Sequence, residues 1–229
     1  MGETIQFKRP DGKSAPAYLA VPATGGENAP GVVIIEEWWG VTPQIKDVAD
    51  RYASQGYRAM VPDLFRGRTA AVPDEATHLV EGLDFEDAFS QDVRGALSHL
   101  KSNGKKAGVT GYCVGGALAL LAAMHLREPD AAVVYYGIPP EDAGDPGTIE
   151  VPLQCHYARH DKFYSPDKVA KLEERLRSGK VPYELYWYDA DHGFCNPNPM
   201  GSAGLGHYDE AAARESWDRT IRFFEKTLH

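Results

Sequence analysis

Cys113 stands in "VTGYCVGGALALL", residues 109–121, with Gly111 before it and the Gly115-Gly116 pair after it. An apolar, β-branched run leads in and an apolar helical run leads out, so the thiol falls where a strand reverses into a helix. A buried structural thiol needs no glycines around it. A thiol presented on a sharp turn does, because the incoming and outgoing backbones pack closely and a Cβ at 111 or 115 would clash. The spacing Gly111-x-Cys113-x-Gly115 is that of a nucleophile elbow with Cys in the Ser position. It also sets Cys113 at a helix N-terminus, where the dipole favours a thiolate. The plainer reading is a small core residue beside a tight turn, and the pentapeptide alone leaves both open.

Residues downstream separate them. The strand "PLQCHYA" runs into "RHDKF", which offers Asp161, and the strand "YELYWYD" runs into "ADHGF", which offers His192. Each falls just past a strand's carboxyl end, in the order nucleophile, acid, base that an elbow-type triad requires. His192 is the candidate general base and Asp161 the group that orients its ring and stabilises the imidazolium. Asp189 and Asp191 lie too close along the chain to be first choice as its partner. Either site alone reads as a surface Asp or His beside a turn; the set does not.

"IIEEWWGV" adds a fourth piece, with Glu36 and Glu37 directly after the apolar run "GVVII". A carboxylate at that depth is costly unless paired or hydrogen-bonded. The two Trp residues that follow supply an apolar wall for a ligand, at least one of them packing as core or lid. Backbone N–H groups from this loop and from Val114 are placed to form an oxyanion hole.

These groups need a scaffold, and the chain alternates strand and helix patterns almost throughout. "TIQFKR" and "APAYLAV" flank an Asp11-Gly12 turn and read as an antiparallel edge pair. Strands follow in "GVVII", "YRAMVP", "KAGVTGY", "AAVVYYG", "PLQCHYA" and "YELYWYD". Helices are expected over 42–56, 85–104, to Leu126 after the elbow, over 165–179 and from Glu210 onward. Ser165-Pro166-Asp167 reads as an N-cap, a Pro at N1 and an acid in the first turn; Gly56, Gly104 and Gly179 sit where helices should stop. With no linker and no repeat, this is one α/β domain over 1–229 with a mostly parallel sheet, and such sheets bind ligands beyond their strands' carboxyl ends.

Composition bounds the partners. A formal charge of -9, with acids interspersed among bases, argues against nucleic acid. The start lacks an apolar signal region, and "ALALLAAMHL" is about half of the roughly 20 residues a membrane span needs. Three cysteines without a CxxC pair fit reduced thiols and a cytoplasmic setting rather than a disulfide framework or a zinc ribbon. His156, His160, Cys155 and Cys195 could be drawn with Asp161 as a metal cluster, but Cys155 and His156 are strand neighbours on opposite faces. Cys155 reads as core. "GSAGLGH", 201–207, follows no strand and is a weak phosphate-loop match.

"EEWWG", "VPDLF", "GYCVGGALAL", "YYG", "RHDKF" and "DHGF", in this order and spacing, resemble the dienelactone hydrolase (carboxymethylenebutenolidase) family over nearly the whole chain. The resemblance implies an α/β-hydrolase fold, a mostly parallel central sheet flanked by helices on both faces. It implies Cys113 as nucleophile, His192 as base, Asp161 as acid, and Glu37 as the glutamate that holds and then deprotonates the thiol. Trp38 and Val114 match the residues whose N–H groups form the oxyanion hole. The chemistry implied is hydrolysis of an enol lactone, 4-carboxymethylenebut-2-en-4-olide to maleylacetate, or of a small activated ester, through an acyl-enzyme and without metal or cofactor. The family's carboxylate-binding arginines are not matched position by position: Gly67 stands at one, flanked by Arg66 and Arg68, and Asn196 at the other. Arg66 or Arg68, with Trp39 and Phe194, is expected to contact substrate.

Two other classes compete. One is a non-catalytic small-molecule receptor on the same fold; the other is a redox-active thiol protein using Cys113, with Cys195 as its resolving partner. A monomer or small homo-oligomer is expected in each case.

Overall fold

The structure is a computed structural model and describes residues 2–197 and 206–229. Eight strands, β1 Glu3–Lys8, β2 Ser14–Ala20, β3 Gly31–Ile35, β4 Arg58–Pro62, β5 Ala107–Tyr112, β6 Ala131–Tyr135, β7 Leu153–Ala158 and β8 Tyr183–Tyr188, form one sheet in the order β1-β2-β4-β3-β5-β6-β7-β8. β1 and β2 pair antiparallel around the Asp11-Gly12 turn, β2 meets β4 antiparallel, and β4, β3, β5, β6, β7 and β8 run parallel.

The central strands are buried on both faces, which explains their unbroken apolar runs. In β3, Val33 and Ile35 point into one core and Val32 and Ile34 into the other. α4 Arg94–Lys101, α5 Val114–His125 and α6 Pro166–Ser178 cover the first face; α1 Pro43–Ser54 and α7 Glu210–Leu228 cover the second. Cys155 is fully buried in the first core, whereas its neighbour His156 bonds Tyr188 and Thr220 on the α7 side. From β3 the chain passes to β4 on one side, and its next strand, β5, lies on β3's other side. The topological switch point, where such sheets open a crevice, therefore falls between β3 and β5.

Three local expectations need correction. The helix over 85–104 is not uniform: α3 Phe85–Asp87 leads into a π-helical segment, Ala88–Val93, before α4. That widened turn brings Asp92 to the guanidinium of Arg66, 2.8 and 2.9 Å away. A further helix, α2 Pro73–Glu81, adds to the expected set; it is only nine residues long and buries just Ala76 and Leu79. Ser165 occupies the N-cap position of α6 with extended backbone, but its side chain makes no capping bond. Segment 201–205 of the Gly-rich stretch lies outside the described residues.

Candidate active site

Cys113 sits between β5 and α5 with φ 55° and ψ -117°, a conformation that side-chain-bearing residues rarely adopt. The glycines make the turn possible. A Cβ on Gly115 would lie 2.6 Å from the carbonyl oxygen of Glu36 and closer still to that of Ile35, and one on Gly111 would overlap the Gly115 carbonyl. The turn is pinned by Cys113 N donating to Tyr135 O at 3.1 Å and Ala117 N donating to Cys113 O at 3.1 Å.

The thiol meets its expected partners. Cys113 Sγ is 3.2 Å from His192 Nε2, and His192 Nδ1 is 2.7 Å from Asp161 Oδ2. Because an ionised carboxylate only accepts, Nδ1 carries the proton of that second bond. The other Asp161 oxygen accepts from the N–H groups of Phe163 at 2.7 Å and Tyr164 at 2.9 Å, which fixes the carboxylate. Burial works against a charged His192, but the facing Cys113 sulfur and the Asp161 carboxylate outweigh it and raise the imidazole to about 10. The rejected acids are engaged elsewhere, Asp189 with His160 and Asp191 with His207.

Glu37 lies beside this row, 7% exposed. Asn196 Nδ2 donates to its Oε2 at 2.6 Å and the Tyr136 hydroxyl to its Oε1 at 3.3 Å. Burial raises its carboxyl above the ordinary range, against the lowering effect of Asn196, His192 and Tyr136. Glu36 points away, accepting from Leu64 N at 2.9 Å, with its other oxygen unpartnered among the described residues. Burial pushes that carboxyl to about 8, so it is neutral at pH 7.

A Gly40 N to Glu37 O bond of 3.2 Å closes a turn around Trp38 and Trp39, so the N–H of Trp38 belongs to a loop at the cleft wall. Val114 opens α5, where first-turn N–H groups have no intrahelical acceptor. Both residues line the cleft with Cys113, Glu37 and His192.

The substrate-contact expectations divide. Trp39 lines the cleft while also packing on Phe65, Ala70, Ala76 and Leu79. Phe194 does not line it: the ring is fully buried beneath the site, against Tyr136 and Tyr188. Arg66 and Arg68 are also absent from the lining. The positive φ of Arg66 turns its side chain back onto Asp92 and Asp63 O, and Arg68 Nε donates to Phe65 O.

One participant carried no expected role. Tyr136 has φ 37° just past β6, is fully buried, bonds Glu37 and stands edge-on to His192 at 5.1 Å. A signal existed: like Cys113, Asp161 and His192, it follows the carboxyl end of a parallel strand.

Comparisons with known proteins place the chain in a family. Residues 15–228 match the dienelactone hydrolase family. A carboxymethylenebutenolidase of Rhodococcus opacus is 31% identical over 241 residues, covering 98% of this chain and 92% of the relative. Protein usf of Aquifex pyrophilus is 32% identical over the full length of both. Among solved structures, a dienelactone hydrolase-like promiscuous phosphotriesterase from metagenomic libraries superposes with a TM-score of 0.85 at 22% identity, covering 100% and 99% of the two chains, which shows a shared fold. The chain belongs to the dienelactone hydrolase family.

Proposed function

We propose that this hydrolase acts on enol lactones or activated esters through a Cys113–His192–Asp161 triad and a thioester intermediate. The observation carrying the reading is the continuous row from Asp161 through His192 to a strained Cys113, at 2.7 and 3.2 Å, opening into a cleft. The thiol proton passes to His192 Nε2 and the sulfur attacks the carbonyl carbon. The carbonyl oxygen, now negative, is received by the N–H groups of Trp38 and Val114. The ester or lactone C–O bond then breaks and His192 returns the proton to the leaving oxygen. In the resulting thioester the sulfur is neutral, so the main influence raising the imidazole is gone. His192 can then take a proton from water, whose oxygen attacks the thioester; the acid leaves and the thiol is regenerated. Glu37, held by Tyr136 and Asn196 in the same cleft lining as Cys113, is the second group able to receive the thiol proton.

A resolving role for Cys195 has little support. Its sulfur faces Ser216 Oγ at 3.5 Å, and burial pushes the thiol up to about 12, far from a reactive thiolate. The test is turnover of cis- and trans-dienelactone and of p-nitrophenyl acetate by the wild type and Cys113→Ala. Turnover of at least one substrate that vanishes in the variant supports the reading. Turnover of none, or activity that survives in Cys113→Ala, refutes it.

A further inference from the structure

The cleft of about 1050 Å³ far exceeds what a compact lactone fills, and it has a direction. Beyond Cys113 and Val114 it is walled by Ala117, Leu120 and Met124, spaced three and four residues apart on one face of α5. From Cys113 to Met124 that face extends ~16 Å at the helical rise. Leu172 of α6 and the loop prolines Pro139, Pro140 and Pro146 also line it.

The mechanism assigns a substrate group to this wall. With the carbonyl carbon at Sγ, its oxygen toward the Trp38 and Val114 N–H groups and the leaving oxygen toward His192 Nε2, only the acyl substituent is left to run along α5. The leaving-group side carries rings instead, with Phe163 4.9 Å and Tyr164 5.9 Å from the His192 ring, both lining the cleft.

Charge selects further. Three cations reach the cleft from α6, and each has a partner: Lys168 Nζ donates to Phe163 O at 3.0 Å, Lys171 faces Glu141 at 3.6 Å, and Arg175 bonds Gly144 O at 2.7 Å and faces Asp145 at 3.3 Å. Glu37, Glu141 and Glu174 are also in the lining. Among the described lining residues, no cation without a partner awaits a substrate carboxylate.

Resting on the triad reading, we propose that the α5–α6 groove is an acyl-chain site and that the substrate bears a neutral, aliphatic acyl arm of up to roughly twelve carbons, which in extended form fits within the ~16 Å wall. The experiment is kcat/KM for p-nitrophenyl acetate, butyrate, hexanoate, octanoate and decanoate, with the mono-p-nitrophenyl ester of suberic acid as the charged counterpart of octanoate. Each buried methylene should raise kcat/KM two- to four-fold, so octanoate should exceed acetate by at least ~50-fold. The suberate ester should fall at least ten-fold below octanoate. Met124→Trp, which fills the far end, and Met124→Glu, which charges it, should each lower the decanoate-to-acetate ratio ten-fold or more, with the butyrate-to-acetate ratio little changed. A flat or falling chain-length profile, or a suberate ester faster than octanoate, overturns the groove assignment while Cys113-dependent acetate cleavage leaves the triad standing. No cleavage of any ester by the wild type overturns the groove assignment, and no cleavage of the dienelactones either overturns the triad reading with it.

Discussion

Replacing Asp161 with Asn probes the row most sharply, because the structure dictates how the amide must sit. Asp161 Oδ1 accepts two main-chain N–H groups, from Phe163 and Tyr164, while Oδ2 accepts from His192 Nδ1, and the side chain is wholly buried. If the Asn oxygen keeps the two main-chain donors, its NH2 faces Nδ1. If it flips, the NH2 opposes two N–H groups and strands them, at about 1–3 kcal/mol each. The first orientation therefore prevails, and His192 must accept at Nδ1. The neutral imidazole then carries its proton on Nε2, aimed at Cys113, and cannot take the thiol proton. The expected loss in kcat is about 10³- to 10⁴-fold, equivalent to ~4–5.5 kcal/mol of transition-state stabilisation, with KM changed little. Steady-state kinetics on p-nitrophenyl acetate measures it, and denaturant unfolding checks that the variant remains folded. The His192 imidazole should also titrate well below its wild-type value of about 10 by NMR, one raising influence having been removed. An Asp161→Asn enzyme within ten-fold of wild type would refute the orienting role.

Other perturbations have defined outcomes. Cys113→Ala removes the foremost influence raising His192, so the imidazole should titrate downward from about 10, which NMR follows; an unmoved midpoint would mean the sulfur does not face the ring as a charge. Gly115→Ala drives a Cβ into the carbonyl oxygens of Ile35 and Glu36 and should cost on the order of 2–4 kcal/mol in urea unfolding. Gly104→Ala meets no neighbour and bears only the positive φ of 76°, for about 1 kcal/mol; equal losses would deny the elbow its tight packing. Glu36 titrates near 8 when folded and near 4.5 when unfolded, so between those values the unfolded chain binds fewer protons and stability falls as pH rises. Glu36→Gln should flatten that decline, worth on the order of a few kcal/mol, in thermal melts from pH 5 to pH 8; an unchanged slope would place the titration elsewhere.

The Asp161–His192–Cys113 row was legible because three unlike residues each follow a parallel strand's carboxyl end, and strand positions are written in unbroken apolar runs such as "GVVII" and "AAVVYYG". Glu37 was legible for the same reason: a carboxylate directly after a doubly buried strand needs an explanation. The arginines show where reading along the chain stops. Arg66 and Arg68 have the right type and neighbourhood, but a positive φ at 66 and an acid delivered by a π-helical segment more than twenty residues away decide their direction. Phe194 failed likewise, since its place two residues after His192 says nothing about which side of the loop it takes. α2 is hard to read for another reason: its apolar face spans two buried residues in nine, shorter than a pattern of two or three turns needs to stand out from a loop. The groove along α5 was hidden for the opposite reason: the helix is apolar all round, so the face that borders the cleft cannot be told from the faces that border the core.

Acid-quenched rapid mixing of the wild type with p-nitrophenyl acetate, followed by peptide mass spectrometry, reaches the covalent step itself. The triad assignment predicts an acetyl group on the Cys113 peptide within the first turnover, decaying as product forms, with no adduct and no turnover in Cys113→Ala. Turnover with the Cys113 peptide unmodified at every time point, or with the acetyl group on another residue, would contradict it.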